Sequence, residues 1–226
     1  MGILRTTTSI IGWSSLATVG TFVAWTRNSK FVPMTTTDEI FTNVIYNRLN
    51  PERNPTFHDL CIRRVPLSKI RPELLEKDGK LVEQFCAGVW SGFGYTIQRK
   101  ILERLSRGPE TAHQLWDREE LKASSYPLGT QITDHFEVVS HSPSAIMVRC
   151  GDSPKNSDVR ETDGLFEMRA EVKEAEGVAE FQLKSCFYQG LGKSDTGAPP
   201  INAAAGWLHQ LYTKLWMESA LRNVVR

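Results

Sequence analysis

The 226-residue sequence contains no C-x-x-C pair, although it has four cysteines, Cys61, Cys86, Cys150 and Cys186. A chain of this length buries about 70% of its unfolded surface and needs no cross-link, so the four are expected to be buried free thiols on a reducing side of a membrane. His58, His113, His135, His141 and His209 show neither H-E-x-x-H nor paired-ligand spacing, and no metal is expected. The only near-sequon, Asn54-Pro55-Thr56, is disqualified by its proline. Basic residues (27) barely outnumber acidic ones (26), so the basic excess of a nucleic-acid binder is missing. Nucleotide signatures fail as well. Gly190-Leu191-Gly192-Lys193-Ser194 ends like a phosphate loop, but the first glycine of that motif would fall at Phe187. Gly92-Phe93-Gly94 follows no strand, there is no G-x-S-x-G elbow, and no cofactor is expected. With 40% apolar and 23% charged residues and no internal repeat, the chain is neither disordered nor fibrous.

Acidic residues are absent before Asp38, where Arg5, Arg27 and Lys30 are the only charges. Between Arg5 and Arg27 runs Ser9–Trp25, SIIGWSSLATVGTFVAW, 17 residues at the short end for crossing a hydrocarbon layer. Trp13 and Trp25 suit interfaces, and Arg27 and Lys30 suit an anchor on the far side. Three readings stand for this run: a membrane anchor, a cleaved secretory or mitochondrial presequence, and a helix packed on the domain of a soluble cytoplasmic protein. Met1-Gly2 with Thr6 also fits the short myristoylation pattern. Residues 1–35 are therefore read as an apolar appendage, and 36–226 as one domain, membrane-associated if the anchor is retained.

The body reads as α+β. Thr37-Asp38-Glu39 caps a short helix, and Asn50 to Pro55 turns into a strand over 56–65. Val82, Phe85, Val89, Phe93, Ile97, Ile101 and Leu105 form a helical stripe, with a break at residues 91–95. The spacing Gly88-x-x-x-Gly92 marks a kink or a close backbone approach. From Gln131 the period becomes 2, predicting strands over 131–139, 145–150, 164–172 and 178–188. The last two alternate cleanly, as antiparallel strands with one packed face do. Residues 201–226 form a terminal helix, with Ala204, Leu208, Leu211 and Leu215 as the stripe expected to pack and Trp207 and Trp216 beside it.

A curved antiparallel sheet wrapped on a long C-terminal helix is the helix-grip plan. On the strand Glu161–Ala170 and the closing helix with His209, Leu211, Tyr212, Leu215, Leu221 and Arg222, residues 56–226 resemble the START-like (polyketide cyclase and Bet v 1-like) superfamily. The C-terminal half is similar to domain of unknown function 2867. The resemblance implies a cavity for a lipid, hormone or polyketide, in a carrier or in a cyclase of secondary metabolite biosynthesis, and transfers no catalytic residue.

The residues themselves suggest one constellation. Asp134 or His135 beside Arg149 would join a proton acceptor to a cation able to stabilise an enolate. The competing reading has Arg149 fastened to a structural acid such as Asp134 or Asp163. Trp90, Phe93, Tyr188, Trp207 and Leu211 are candidate walls of a ligand cavity. The expected partner is thus a small hydrophobic, oxygenated molecule, bound by a cyclase or isomerase, or by a non-catalytic membrane-associated carrier.

Overall fold

The computed structural model describes residues 19–226. The readings placed on residues 1–18, the first part of the apolar run and the myristoylation pattern among them, lie outside the described residues. Residues 19–26 are helical (α1), and the chain then enters strand β1, Lys30–Val32. This three-residue strand, too short to show alternation, lies within the stretch read as an appendage and forms the edge of the sheet. The other strands are β2 (Phe57–Pro66), β3 (Gln131–Ile132), β4 (Phe136–His141), β5 (Ala145–Cys150), β6 (Asp163–Lys173) and β7 (Val178–Tyr188). Together they make one seven-stranded antiparallel sheet in the order β1-β2-β7-β6-β5-β4-β3.

The β6–β7 hairpin keeps register from Asp163↔Tyr188 to Lys173↔Val178. Gly177, at φ +65°, reverses the chain in the left-handed conformation that glycine adopts without strain. The strand predicted over 131–139 is in fact two. Thr133 and Asp134, both at φ +51°, fold it back so that Ile132 pairs with Phe136.

The two faces of the sheet carry different loads. Phe166, Met168, Ala170, Phe181 and Leu183 enter the main core under the long helices. On the other face Met147, Leu165, Cys186 and Tyr188 form a smaller core with Ile40, Tyr46 and Leu49 from α2 (Glu39–Thr42) and α3 (Val44–Leu49). Farther along that face the alternation brings charges together. Lys184 reaches Asp38 at 3.0 Å, and Arg169 reaches Glu167 and Glu171 at 3.1 Å each. All four cysteines are free and buried. Burial pushes the Cys61 and Cys186 thiols up to about 12, and those of Cys86 and Cys150 higher still.

The main core is covered by α4 (Lys80–Ser91), α5 (Phe93–Ser106), α6 (Arg118–Ala123) and α7 (Ala203–Leu221). The expected break between α4 and α5 falls at Gly92. Helix α7, however, is rotated from its apolar stripe. Gly206, Thr213, Trp216, Met217, Ala220 and Leu221 are buried, whereas Trp207 is 62% and Leu208 55% exposed. Leu211 and Leu215 are only half-buried. The packed side is chosen by close fit. A Cβ on Gly206 would stand 2.6 Å from the Phe57 ring, and one on Gly88 would stand 2.4 Å from the Ala220 carbonyl oxygen. Small residues permit these approaches, and they dilute the hydrophobic signal of the buried side.

Met217→Ala alone should therefore destabilise the protein more than Leu211→Ala and Leu215→Ala together. Met217 is 0% exposed, and such truncations typically cost about 2–5 kcal/mol. Chemical denaturation of the two variants checks the order; a larger loss in the double leucine variant would place the stripe in the core.

Candidate functional site

At one end of the sheet, β5 and β7 finish while β4 and β6 begin, and α5 and α7 cross above them. A cavity of about 290 Å³ lies there. Its apolar walls are Phe136, Cys150, Phe166, Phe187 and Trp216, and its polar ones Gln98, His135, Thr162, His209, Tyr212 and Thr213. Gly164 helps shape the wall, because a Cβ there would come within 2.6 Å of the Phe187 ring.

His209 and Thr213 stand one turn apart on α7 and so share a face. Beneath them Asp59 of β2 and Ser185 of β7 are directly opposite partners across the two strands. His209 Nε2 meets Ser185 Oγ at 3.1 Å, Thr213 Oγ1 at 3.3 Å and Asp59 Oδ2 at 3.4 Å. Asp59 is buried and neither of its oxygens has a hydrogen bond, so the His209 ring is its nearest compensation. Phe57 and Phe187 stand edge-on to that ring, at 5.5 and 5.2 Å between centroids. The other ring nitrogen, Nδ1, makes no hydrogen bond with any described residue. Burial raises the Tyr212 phenol and keeps it protonated. Burial, aided by the nearby Arg160 cation, lowers His135, so that imidazole is neutral at pH 7.

The residues singled out in the sequence are dispersed. His135 lines the cavity. Asp134 is turned away into loop contacts, accepting from Ser153 Oγ at 2.8 Å and Gln114 Nε2 at 3.2 Å. Arg149 and Tyr188 lie on the opposite face of the sheet. Arg149 binds Asp163 through two hydrogen bonds of 2.9 and 2.6 Å and donates to the Ser157 and Asp158 carbonyls. The acceptor–cation pair of Asp134 or His135 with Arg149 does not form; the structural pair with Asp163 does. Tyr188 packs edge-on against Tyr46. Trp90 is fully buried one layer behind the cavity, against Trp216 and Phe166. Phe93, Trp207 and Leu211 lie on the outer side of the helices and do not line this cavity.

Sequence reasoning missed Asp59, Ser185 and Thr213, and took His209 only as part of a family pattern. A carboxylate on the inward-facing row of β2 was the available signal, since Asp59 alternates with Phe57, Cys61 and Val65. Among the described residues no group of histidines, cysteines and carboxylates suits a metal ion, and no helix is long and apolar enough to cross a membrane. No protein-family profile, no curated protein and no solved structure matches the chain.

Proposed function

We propose that the cavity takes up a small, mainly apolar molecule carrying a hydroxyl or carbonyl group, gripped between α7 and the sheet in the helix-grip manner of the START-like superfamily. The observation that carries this reading is His209, backed by the buried Asp59, in a wall that combines aromatic rings with polar side chains. Aromatic sides supply the apolar contact, and a few convergent polar groups orient the ligand, the usual composition of a small-molecule site. At about 290 Å³ the space suits one or two fused rings and not a diacyl lipid.

A second reading, a cofactor-independent isomerase or cyclase, is favoured by the same histidine. With Nε2 turned to Ser185 and to Asp59 3.4 Å away, Nδ1 is the nitrogen left to accept a proton from beside a ligand carbonyl, and Gln98 and Tyr212 are neutral donors for the resulting enolate oxygen. Arg149, engaged with Asp163 on the other face, takes no part.

2-Tetralone, a bicyclic ketone, tests both. It should bind the wild-type protein in NMR titrations, and Thr162→Trp, a change at an exposed rim position, should block it. A catalyst will also speed deuterium exchange at the ketone's α-carbon, by about 10²–10⁴-fold, and lose that rate in His209→Leu. A carrier will bind without exchange. Absence of binding by both 2-tetralone and 2-naphthol, or binding indifferent to Thr162→Trp, would sink the cavity assignment.

A further inference from the structure

Helix α5 carries Phe93, Ile97, Ile101 and Leu105 at four-residue steps, and all four are exposed, by 45%, 75%, 52% and 76%. A row at that spacing lies on one face. Helix α7 runs antiparallel beside it: Gly94 touches Leu215, Trp216 and Ser219, and farther along Gln98 shares the cavity with Tyr212. The outward stripe of α7, with exposed Leu208 and half-buried Leu211 and Leu215, therefore continues the apolar row of α5. Two observations say what this face meets. First, Trp25, the last residue of the apolar N-terminal run, rests on Phe93 at 5.6 Å between rings, and Arg222 lies over both rings. The amino-terminal run thus ends on the same face. Second, the open cleft beside Phe93 is lined by Arg118, Lys122 and Arg222 and by no acidic side chain, while Arg104 borders the stripe one helical turn from Ile101 and Lys100, near Ile97, is paired with Glu103 at 2.8 Å. An apolar strip edged by cations matches the boundary of a bilayer with anionic headgroups.

We infer that the outer face of α5 and α7, together with the end of the N-terminal run, docks on an anionic membrane surface. The strip dips below the headgroups and the cleft receives lipid phosphate or carboxylate. The cavity lies directly beneath the same two helices, so docking brings its Gln98–Tyr212 side toward the lipid. Docking itself needs no ligand in the cavity, and its test is separate from the 2-tetralone experiment.

The full chain is floated with vesicles of phosphatidylcholine alone and of phosphatidylcholine mixed with phosphatidylserine. Wild-type protein should prefer the mixed vesicles. Ile97→Ser, Ile101→Ser and Leu208→Ser together should weaken partition by about tenfold or more, and leave Tm unchanged because all three sites are exposed. Lys122→Gln should cost about fivefold on the mixed vesicles only. Three results overturn the inference: no vesicle binding; a triple variant that binds like wild type, which assigns binding to the N-terminal run alone; or a triple variant that lowers Tm and still binds, which means that the strip is covered by the chain itself or by a second copy.

Discussion

Arg149→Met is expected to lower Tm by about 6–20 °C while leaving 2-tetralone affinity of the folded fraction intact. Arg149 is 4% exposed and its partner Asp163 0%. Their two hydrogen bonds, at 2.9 and 2.6 Å, make a bidentate pair of the strong, directional kind. Arginine cannot relieve a bad environment by losing its proton, and removing it strands Asp163 with one remaining partner, the Gly164 amide at 3.0 Å. Breaking a buried pair from one side costs about 3–5 kcal/mol. In a domain of this size each kcal/mol moves Tm by about 2–4 °C. The guanidinium also holds the Ser157 and Asp158 carbonyls, so the loop between β5 and β6 should become the first protease-sensitive segment. Affinity is spared because the side chain lies on the face of the sheet away from the cavity. Differential scanning calorimetry with ligand titration separates the outcomes: a normal Tm with binding weakened tenfold or more would make Arg149 a ligand contact. Arg149→Met with Asp163→Asn should recover part of the loss, because the stranded charge is then gone.

How legible this molecule is in its sequence depends on whether close approach or hydrophobicity governs the element. Strands β5, β6 and β7 are legible to within a residue because β6 and β7 alternate over eleven positions each, β5 is a short apolar run buried on both faces, and all three end at Gly, Pro or acidic turns. The α4–α5 break is legible because glycine at 88, 92 and 94 interrupts a clear 3.6-residue period. The orientation of α7 is not. Its most apolar row, Leu208, Leu211 and Leu215, faces outward, and its packed row mixes Gly206, Thr213 and Ala220 with Trp216 and Met217. The same inversion hides the candidate site. Asp59, Ser185, His209 and Thr213 come from strands and a helix up to 154 positions apart, and only the β2–β7 register brings the carboxylate and the serine under the histidine. Spacing arguments found His135 because it sits at a turn beside a strand end. They paired it with Arg149 across a hairpin, yet successive strand residues point to opposite faces, and Arg149 follows Val148 of the main core.

Gly88→Val is expected to be among the most damaging single changes in the chain, with Tm reduced by about 10 °C or more or with no soluble protein. Glycine is a poor helix residue, and alanine in its place would ordinarily stabilise α4 by about 1 kcal/mol. At Gly88, though, a Cβ would lie 2.4 Å from the Ala220 carbonyl oxygen, 2.9 Å from its Cα and 3.0 Å from its carbonyl carbon. These are backbone atoms of α7 and cannot swing aside as a side-chain tip does. Relief requires the two helices to part, which opens packing around Trp90, Trp216 and Met217 at the centre of the main core. Gly92 continues the seam, for a Cβ there would meet Ser219 Oγ at 2.4 Å. Gly20, where an added Cβ would meet nothing within 4 Å and the backbone is helical, is the control: Gly20→Ala should leave Tm unchanged or slightly raised. Intermediate damage is expected from Gly88→Ala, where lost fit of about 1–3 kcal/mol outweighs the gain in helix propensity. Because Trp216 and Tyr212 ride on the displaced helix, the folded fraction of Gly88→Ala should also bind 2-tetralone more weakly than wild type. If Gly88→Ala proved as stable as Gly20→Ala, the close crossing of α4 and α7, and with it the placement of the cavity wall, would be wrong.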